Sequence, residues 1–548
     1  MTRIDFRPWA GVALSVAILA YVGCSSSSPT SSSSPTSTGS SRGPAGSKGD
    51  PSPGGGASAP QKLLANLRDP AAVLIVSGEQ FGYLEPCGCT KGQVGGLIRR
   101  YDFVERLHTQ NHWPTALIDL GSLIKNPADA RGGFDQAKLK FDTALKALKL
   151  LNYSAMALSA EDLKLGVGEA LGLFLNGLGE TTKIVVANVE APGYETIFRP
   201  SLIVSAGPVK LGVTAVIDPE ILKKLSDPDK DVIFPKIQRP DEVLAAVLAD
   251  LEPKSDYQVL MVQGPSALAK RLAEAYPGFD IVVSTSDYDD VLRHDAEMLN
   301  RDKTMLVNVG RKGKYVGVFG LYPKEAQRLR YQVVTLDDKF DGPATAMKKL
   351  IEDEFRDTLR QVGVVENYQR RGYINGAPGA TFVGAASCES CHPKTYEKWA
   401  STKHALAFDS LLGDKKPNTI YDAECISCHT TGFEYLSGWQ SEAKTPYLES
   451  NQCENCHGPG SKHIAEPTNA DFRKLMAVSA DQAEKRGLCI ECHDLDNSPH
   501  FEFAKYYKEI RHKGLDTYDD PKVRTGVAPK GVPTSPSAGT PGNAKTSQ

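Results

Sequence analysis

Spare cysteine is what this sequence lacks. Of 11 cysteines in 548 residues, eight fall in one repeated pattern, leaving Cys24, Cys87 and Cys89. These three exclude a conventional disulfide framework; the one local bond open to them is Cys87–Cys89. Net charge is scarce as well. The 63 basic and 66 acidic residues leave −3 at pH 7, so nothing points to a nucleic-acid partner. The apolar run Trp9–Tyr21 is shorter than the roughly 20 residues of a comfortable membrane span. The length alone suggests two to four domains.

What is present begins with an export signal. Arg3 and Arg7 precede the apolar run, which ends at Tyr21-Val22-Gly23-Cys24. Small residues before a lone cysteine resemble the bacterial lipoprotein signal, although that pattern favours Leu where Tyr21 stands. The resemblance implies cleavage after residue 23, acylation of Cys24 and a membrane contact through the N-terminal lipid. Residues 1–24 are therefore expected to be a lipoprotein-type signal peptide. Residues 25–61 are mostly Ser, Pro, Thr and Gly, too poor in apolar side chains to offset chain entropy, and read as a disordered tether.

The cysteines concentrate between residues 388 and 493, in four copies of Cys-x-x-Cys-His. They are Cys388-Glu-Ser-Cys391-His392, Cys425-Ile-Ser-Cys428-His429, Cys453-Glu-Asn-Cys456-His457 and Cys489-Ile-Glu-Cys492-His493. At this composition chance supplies roughly 0.004 such motifs per chain. Paired thiols also build zinc sites, but zinc does not require a histidine after every second cysteine. The spacing fits covalent attachment of haem c: the thiols form thioethers and the adjacent histidine ligates iron. Four covalent haems are expected.

Residues 62–340 have a different pattern. Short apolar runs at Val73–Val76, Ala116–Leu120, Ala155–Leu158, Ile184–Ala187 and Leu211–Val216 predict buried strands. Others follow at Val259–Val262, Ile281–Val283, Thr304–Val309 and Tyr315–Leu321. Helical spacing separates several of them, as in Gln136–Leu151 and Pro240–Leu251, so an α/β domain is expected.

The residues Gly82-Tyr83-Leu84-Glu85-Pro86, Gly95-Gly96-Leu97-Ile98-Arg99-Arg100, Ala187-Asn188-Val189 and Val309-Gly310-Arg311-Lys312-Gly313-Lys314-Tyr315-Val316-Gly317 resemble the 5′-nucleotidase branch of calcineurin-like metallophosphoesterases. The resemblance implies an α/β sandwich. It also implies a two-metal site, and here the ligands are missing. Glu79 and Phe81 stand where the first strand should end in Asp-x-His, Ser122 follows Gly121 in place of Asp, and Ser159-Ala160-Glu161-Asp162 replaces Gly-Asn-His-Glu. The later histidine positions fall near Gln263-Gly264 and Ser284-Thr285-Ser286-Asp287. The domain's three histidines, His108, His112 and His294, lie elsewhere. Two-metal phosphoryl transfer needs converging hard or borderline ligands, so a pseudo-phosphoesterase domain is expected. Its alternative is a residual metal-dependent nucleotide phosphohydrolase, with Glu79, Glu161 and Asp162 holding one hard cation.

Cys87-Gly-Cys89 lies near that altered site, as either a redox or metal pair or a structural one; one intervening residue suits tetrahedral zinc poorly. His108 and His112 share a four-residue spacing but sit among polar neighbours and read as solvated. Residues 341–379 read as a helical connector. Ala344, Met347, Leu350, Ile351, Phe355 and Leu359 form its apolar stripe, and Asn375-Gly376-Ala377-Pro378-Gly379 marks a boundary.

Residues 380–513, mostly helix and loop, have few aliphatic residues for their length, so closely packed porphyrins would form their core. The segment holds eight histidines for eight axial positions. His392, His429, His457 and His493 come from the motifs, and His404, His463, His500 and His512 are candidates for the distal positions. Trp399-Ala400-Ser401-Thr402-Lys403-His404-Ala405, Cys456-His457-Gly458-Pro459-Gly460 and Ser498-Pro499-His500-Phe501 resemble tetrahaem cytochromes of the cytochrome c-554 type, linked to hydroxylamine oxidation. The resemblance implies mostly bis-histidine haems in contact, and in some relatives one five-coordinate haem. Residues 514–548 are expected to be a disordered tail.

The combined expectation is an exported, lipid-anchored electron carrier at the periplasm or outer surface. Its partners would be redox donor and acceptor proteins or a quinol-linked membrane complex, with no nucleic acid. The α/β domain would serve as scaffold or docking surface. The rival is a redox enzyme using a five-coordinate haem or the Cys87/Cys89 site.

Overall fold

The computed structural model describes residues 64–86, 92–290, 296–343, 345–413 and 418–516. The expectations for Cys24, Cys87, Cys89, His294, the signal and the tether lie outside these residues.

All nine expected strands form, because each is a short apolar run that a sheet can bury on both faces. They belong to two sheets. The first runs Leu329–Thr335, Tyr315–Leu321, Ala72–Ser77, Thr115–Asp119, Ala155–Ala157, Lys183–Val185, Phe198–Arg199. The second runs Glu297–Leu299, Thr304–Val307, Ile281–Ser284, Tyr257–Gln263, Val209–Ile217, Ser201–Ala206. The second sheet is parallel at its centre and antiparallel at both edges, while the first is antiparallel through Leu329–Thr335 and Tyr315–Leu321 and parallel from Ala72–Ser77 to Phe198–Arg199.

Period-two alternation decides the layering. Ala72, Leu74 and Val76 face one way and meet Val213, Val259, Met261 and Phe319 between the sheets. Val73 and Ile75 face the other way, onto helices Leu97–Arg106, Gly133–Leu150 and Val167–Gly177. Leu260 and Val262 turn from the second sheet onto helices Pro240–Leu251 and Ser266–Ala275. The result is a sandwich of two sheets between two helical layers.

The connector is helical from Ala346 to Val362, with a wide π-type turn over Lys349–Phe355, and its stripe Met347, Ile351, Phe355 and Leu359 is buried. Gly363 ends it at φ 69°, a left-handed value that glycine adopts without strain. From there to residue 516 the chain forms short helices and turns. The core of the first sheet continues into this part through Phe382, Phe408, Ala423, Ile426, Phe433, Trp439 and Leu448. Beyond Leu448, Ala483 is the one buried apolar side chain among the described residues.

Candidate haem sites and the altered strand-end cleft

Each Cys-x-x-Cys-His forms a helical turn. In the first and fourth motifs the histidine N–H donates to the first cysteine's carbonyl, His392 to Cys388 at 2.9 Å and His493 to Cys489 at 2.8 Å. The second and third lie in helices Ala423–His429 and Cys453–His457. All eight thiols are half-buried and unbridged. The turns converge: the Cys388 thiol hydrogen-bonds that of Cys453, and Cys428 that of Cys492. Cys456 and Cys489 are close enough to interact electrostatically.

Three motif histidines face three of the other four. Ring centroids are 6.5 Å apart for His392 and His463, 6.1 Å for His404 and His493, and 5.8 Å for His457 and His512. A metal held at about 2.0–2.1 Å by one nitrogen of each ring separates the centroids by roughly 6 Å, so these pairs fit an iron between them. His429 stands in no such pair among the described residues. His500 is exposed, so eight histidines do not become four facing pairs.

The outer nitrogens are also arranged for ligation. Nδ1 of His429 donates to the Ala407 carbonyl at 2.5 Å, that of His457 to Met476 at 2.6 Å, and that of His512 to Ile510 at 2.9 Å. A carbonyl only accepts, so these rings keep Nε2 free for a metal. Nδ1 of His463 is buried with no partner. Burial lowers the pKa of His392, His404, His457, His463 and His493, which favours the neutral, ligating form.

Glu454, inside the third motif, is buried and pushed up to about 7 by desolvation. Its carboxylate accepts from the backbone of Val383, Gly384 at 2.8 Å and Gly460 at 2.7 Å. It thereby ties the third motif to the strand of chain entering the first.

The altered cleft lies at the ends of the sheet strands. Glu79, Phe81 and Ser122 have φ of 50°, 46° and 59°, so the backbone retains turns that side chains rarely adopt and that functional sites often hold. The carboxylates are engaged otherwise. Glu79 accepts from Ser286 N–H at 2.6 Å and lies 3.5 Å from Arg311; desolvation raises it to about 7. Asp162 accepts from the backbone of Ser122, Leu123 and Ile124, and Glu161 pairs with Lys164 at 2.6 Å. Among the described residues no cluster of three metal-ligating side chains forms. His108 and His112 are exposed, but His112 is left-handed and ends the helix, so the two do not share a helical face.

One group of residues was not legible in the sequence as part of the haem region. Gln136 and Lys140, on helix Gly133–Leu150, bind Asp422 at 2.7 Å and Glu424 at 2.5 Å at the start of the second motif helix. Tyr83 and Lys312 each hold Asp496 at 2.6 Å, just after the fourth motif. Their only signal is charge and polarity, which the sequence shares among many surface residues.

Residues 387–458 match the family model of cytochrome c554 and c-prime. A curated relative, cytochrome c-554 of Nitrosomonas europaea, is 36% identical over an alignment of 96 residues that covers 15% of this chain. The chain spans 41% of that relative's length. This cytochrome c554-type segment implies covalently bound haem c, as the thiols and paired histidines do. In fold the chain is similar to a 5′-nucleotidase precursor from Thermus thermophilus, with a TM-score of 0.42 and 17% identity over 60% of this chain and 67% of that one. It is also similar to the Thermus thermophilus sulfate thiohydrolase SoxB, with a TM-score of 0.43 and 14% identity over 54% of this chain and 61% of that one.

Proposed function

We propose that this protein is an exported tetrahaem cytochrome c that carries electrons, anchored through Cys24, with the α/β domain as its scaffold. The observation that carries the reading is the set of three facing histidine pairs, each joining one motif histidine to a histidine outside the motifs. Haem c at the four motifs would supply one-electron transfer between neighbouring irons. The chain's part is to hold each pair at ligating distance, with burial favouring the neutral form of His392, His404, His457, His463 and His493. Two-sided histidine ligation also keeps small molecules off the metal.

Two thiol contacts, first motif to third and fourth to second, together with the nearness of Cys456 to Cys489, support an order for the row: first, third, fourth, second. The α/β domain touches the second and fourth motifs, which leaves the first as the end for exchange with a soluble or quinol-linked donor or acceptor. A second reading concerns the second motif alone. With no ring facing His429 among the described residues, a redox reaction of a small ligand at that site would be open to this geometry. A phosphohydrolase reading has little support, because its three carboxylates are already bonded.

Pyridine haemochrome assay of the purified protein should give about four haems c per chain; none would overturn the reading. Low-temperature magnetic resonance should show three low-spin centres and one high-spin centre. Four low-spin centres would remove the small-ligand reading.

A further inference from the structure

The chain between strand Thr115–Asp119 and helix Gly133–Leu150 belongs to the α/β domain, yet Arg131 reaches from it between two haem motifs. One guanidinium nitrogen donates to the Glu491 carbonyl at 2.6 Å and to the Asp494 carboxylate at 2.8 Å. The other lies 3.6 Å from Cys428 Sγ. The first two contacts are on the fourth motif and the third is on the second motif. With haem attached, the Cys428 sulfur is a thioether sulfur of the second haem, and the adjacent Cys492 sulfur one of the fourth.

We propose that Arg131 is a positioning residue that sets the reduction potentials at this end of the row, through a fixed positive charge supplied by the α/β domain. The inference rests on the tetrahaem reading. Its physical basis is simple. Reduction adds one negative charge to a haem, and a cation held beside the ring edge favours that state. The side chain is 28% exposed, so water screens it less than a surface arginine. Lys140 and Arg356 lie within the field of Cys425, the other sulfur of the second motif, whereas Arg131 is in contact with Cys428 and also bonded to the fourth motif. Of the neighbouring carboxylates, Asp494 pairs with Arg131 and Glu424 with Lys140, while Glu491 lies in the opposing fields of Glu434 and of Arg371 and Arg131. Removing the arginine therefore leaves Asp494 uncompensated, and both effects disfavour reduction. A scaffold that only braced the segment would need hydrogen bonds here but not a charge.

The test is a spectroelectrochemical titration of the full haem-loaded chain, with haem counted in each sample. Arg131→Gln should lower one or two of the four midpoints by at least tenfold in the reduction equilibrium, or about 59 mV for one electron. Arg131→Lys should stay within about threefold of the parent, because it keeps the charge while losing the fork. Asp494→Asn should move the same midpoints upward. Unchanged midpoints in a fully loaded Arg131→Gln protein would overturn the proposal, as would equal shifts in the Gln and Lys variants. Should Arg131→Gln fail to load haem, Asp494→Asn decides: an upward shift supports the proposal and no shift overturns it. A parent protein without haem would instead overturn the tetrahaem reading itself.

Discussion

Glu79 shows how burial at a strand end sets the behaviour of a single carboxyl. Its carboxyl sits at a strained strand end, receives the Ser286 N–H and is raised from the ordinary 4.5 to about 7, with desolvation the largest cause. A raised folded pKa means the stabilising contribution is complete below about pH 4.5 and is lost as pH rises through about 7. Asp162 and Glu454, both raised to about 7 by burial, act with the same sign. Glu79→Gln removes one of the three. The variant should gain on the parent by about 3 kcal/mol between pH 4.5 and 8, measured as the difference in denaturant unfolding at the two pH values. Parallel curves would show that Glu79 does not titrate in this range.

At the scale of elements, the motif helices are held by polar ends more than by apolar faces. The second motif helix begins at Asp422, which accepts from Glu424 N–H at 2.9 Å and from Gln136 at 2.7 Å, and its inner face is Ala423 and Ile426. The third has Glu454 in place of such a face. Gly458, at φ 78°, turns the chain so that Gly460 N–H reaches that carboxylate. Glu454→Ala leaves buried N–H groups of three residues without an acceptor, at about 1–3 kcal/mol for each group fully lost. We expect a loss of about 3 kcal/mol in chemical unfolding, with haem content falling at the third motif. Thr430 and Thr431, buried beside the second motif, should leave the second haem attached in that variant.

For the whole molecule, the apolar core is continuous from the first sheet through the connector to Leu448 and then stops. The third and fourth motifs lie beyond it, and on the tetrahaem reading the porphyrins would supply the packing there. Replacing Cys453, Cys456, Cys489 and Cys492 by Ser should leave the part up to about residue 448 folded and expose the rest. Limited proteolysis should then yield a resistant fragment ending between the second and third motifs, while the fully loaded parent is not cut there. Cleavage of the loaded parent at the same place would show that haem adds no order there.

The nine apolar runs and the four motifs were legible in the sequence. Each depends on local composition or fixed spacing, and such signals survive without knowing what lies across the fold. The strands missed were short or half-polar edges such as Phe198–Arg199 and Glu297–Leu299, whose pairing rather than composition makes them strands. Eight histidines also suggested four closed sites, because counting treats His463 and His500 alike. Only the tertiary structure sets His463 opposite His392 and leaves His500 exposed. In the same way it brings Arg131 from one domain to the sulfur of another's motif, 297 residues along the chain. Covalent chemistry is written in neighbouring residues, whereas axial pairing and electrostatic tuning depend on distances between remote ones, which only the packed chain defines.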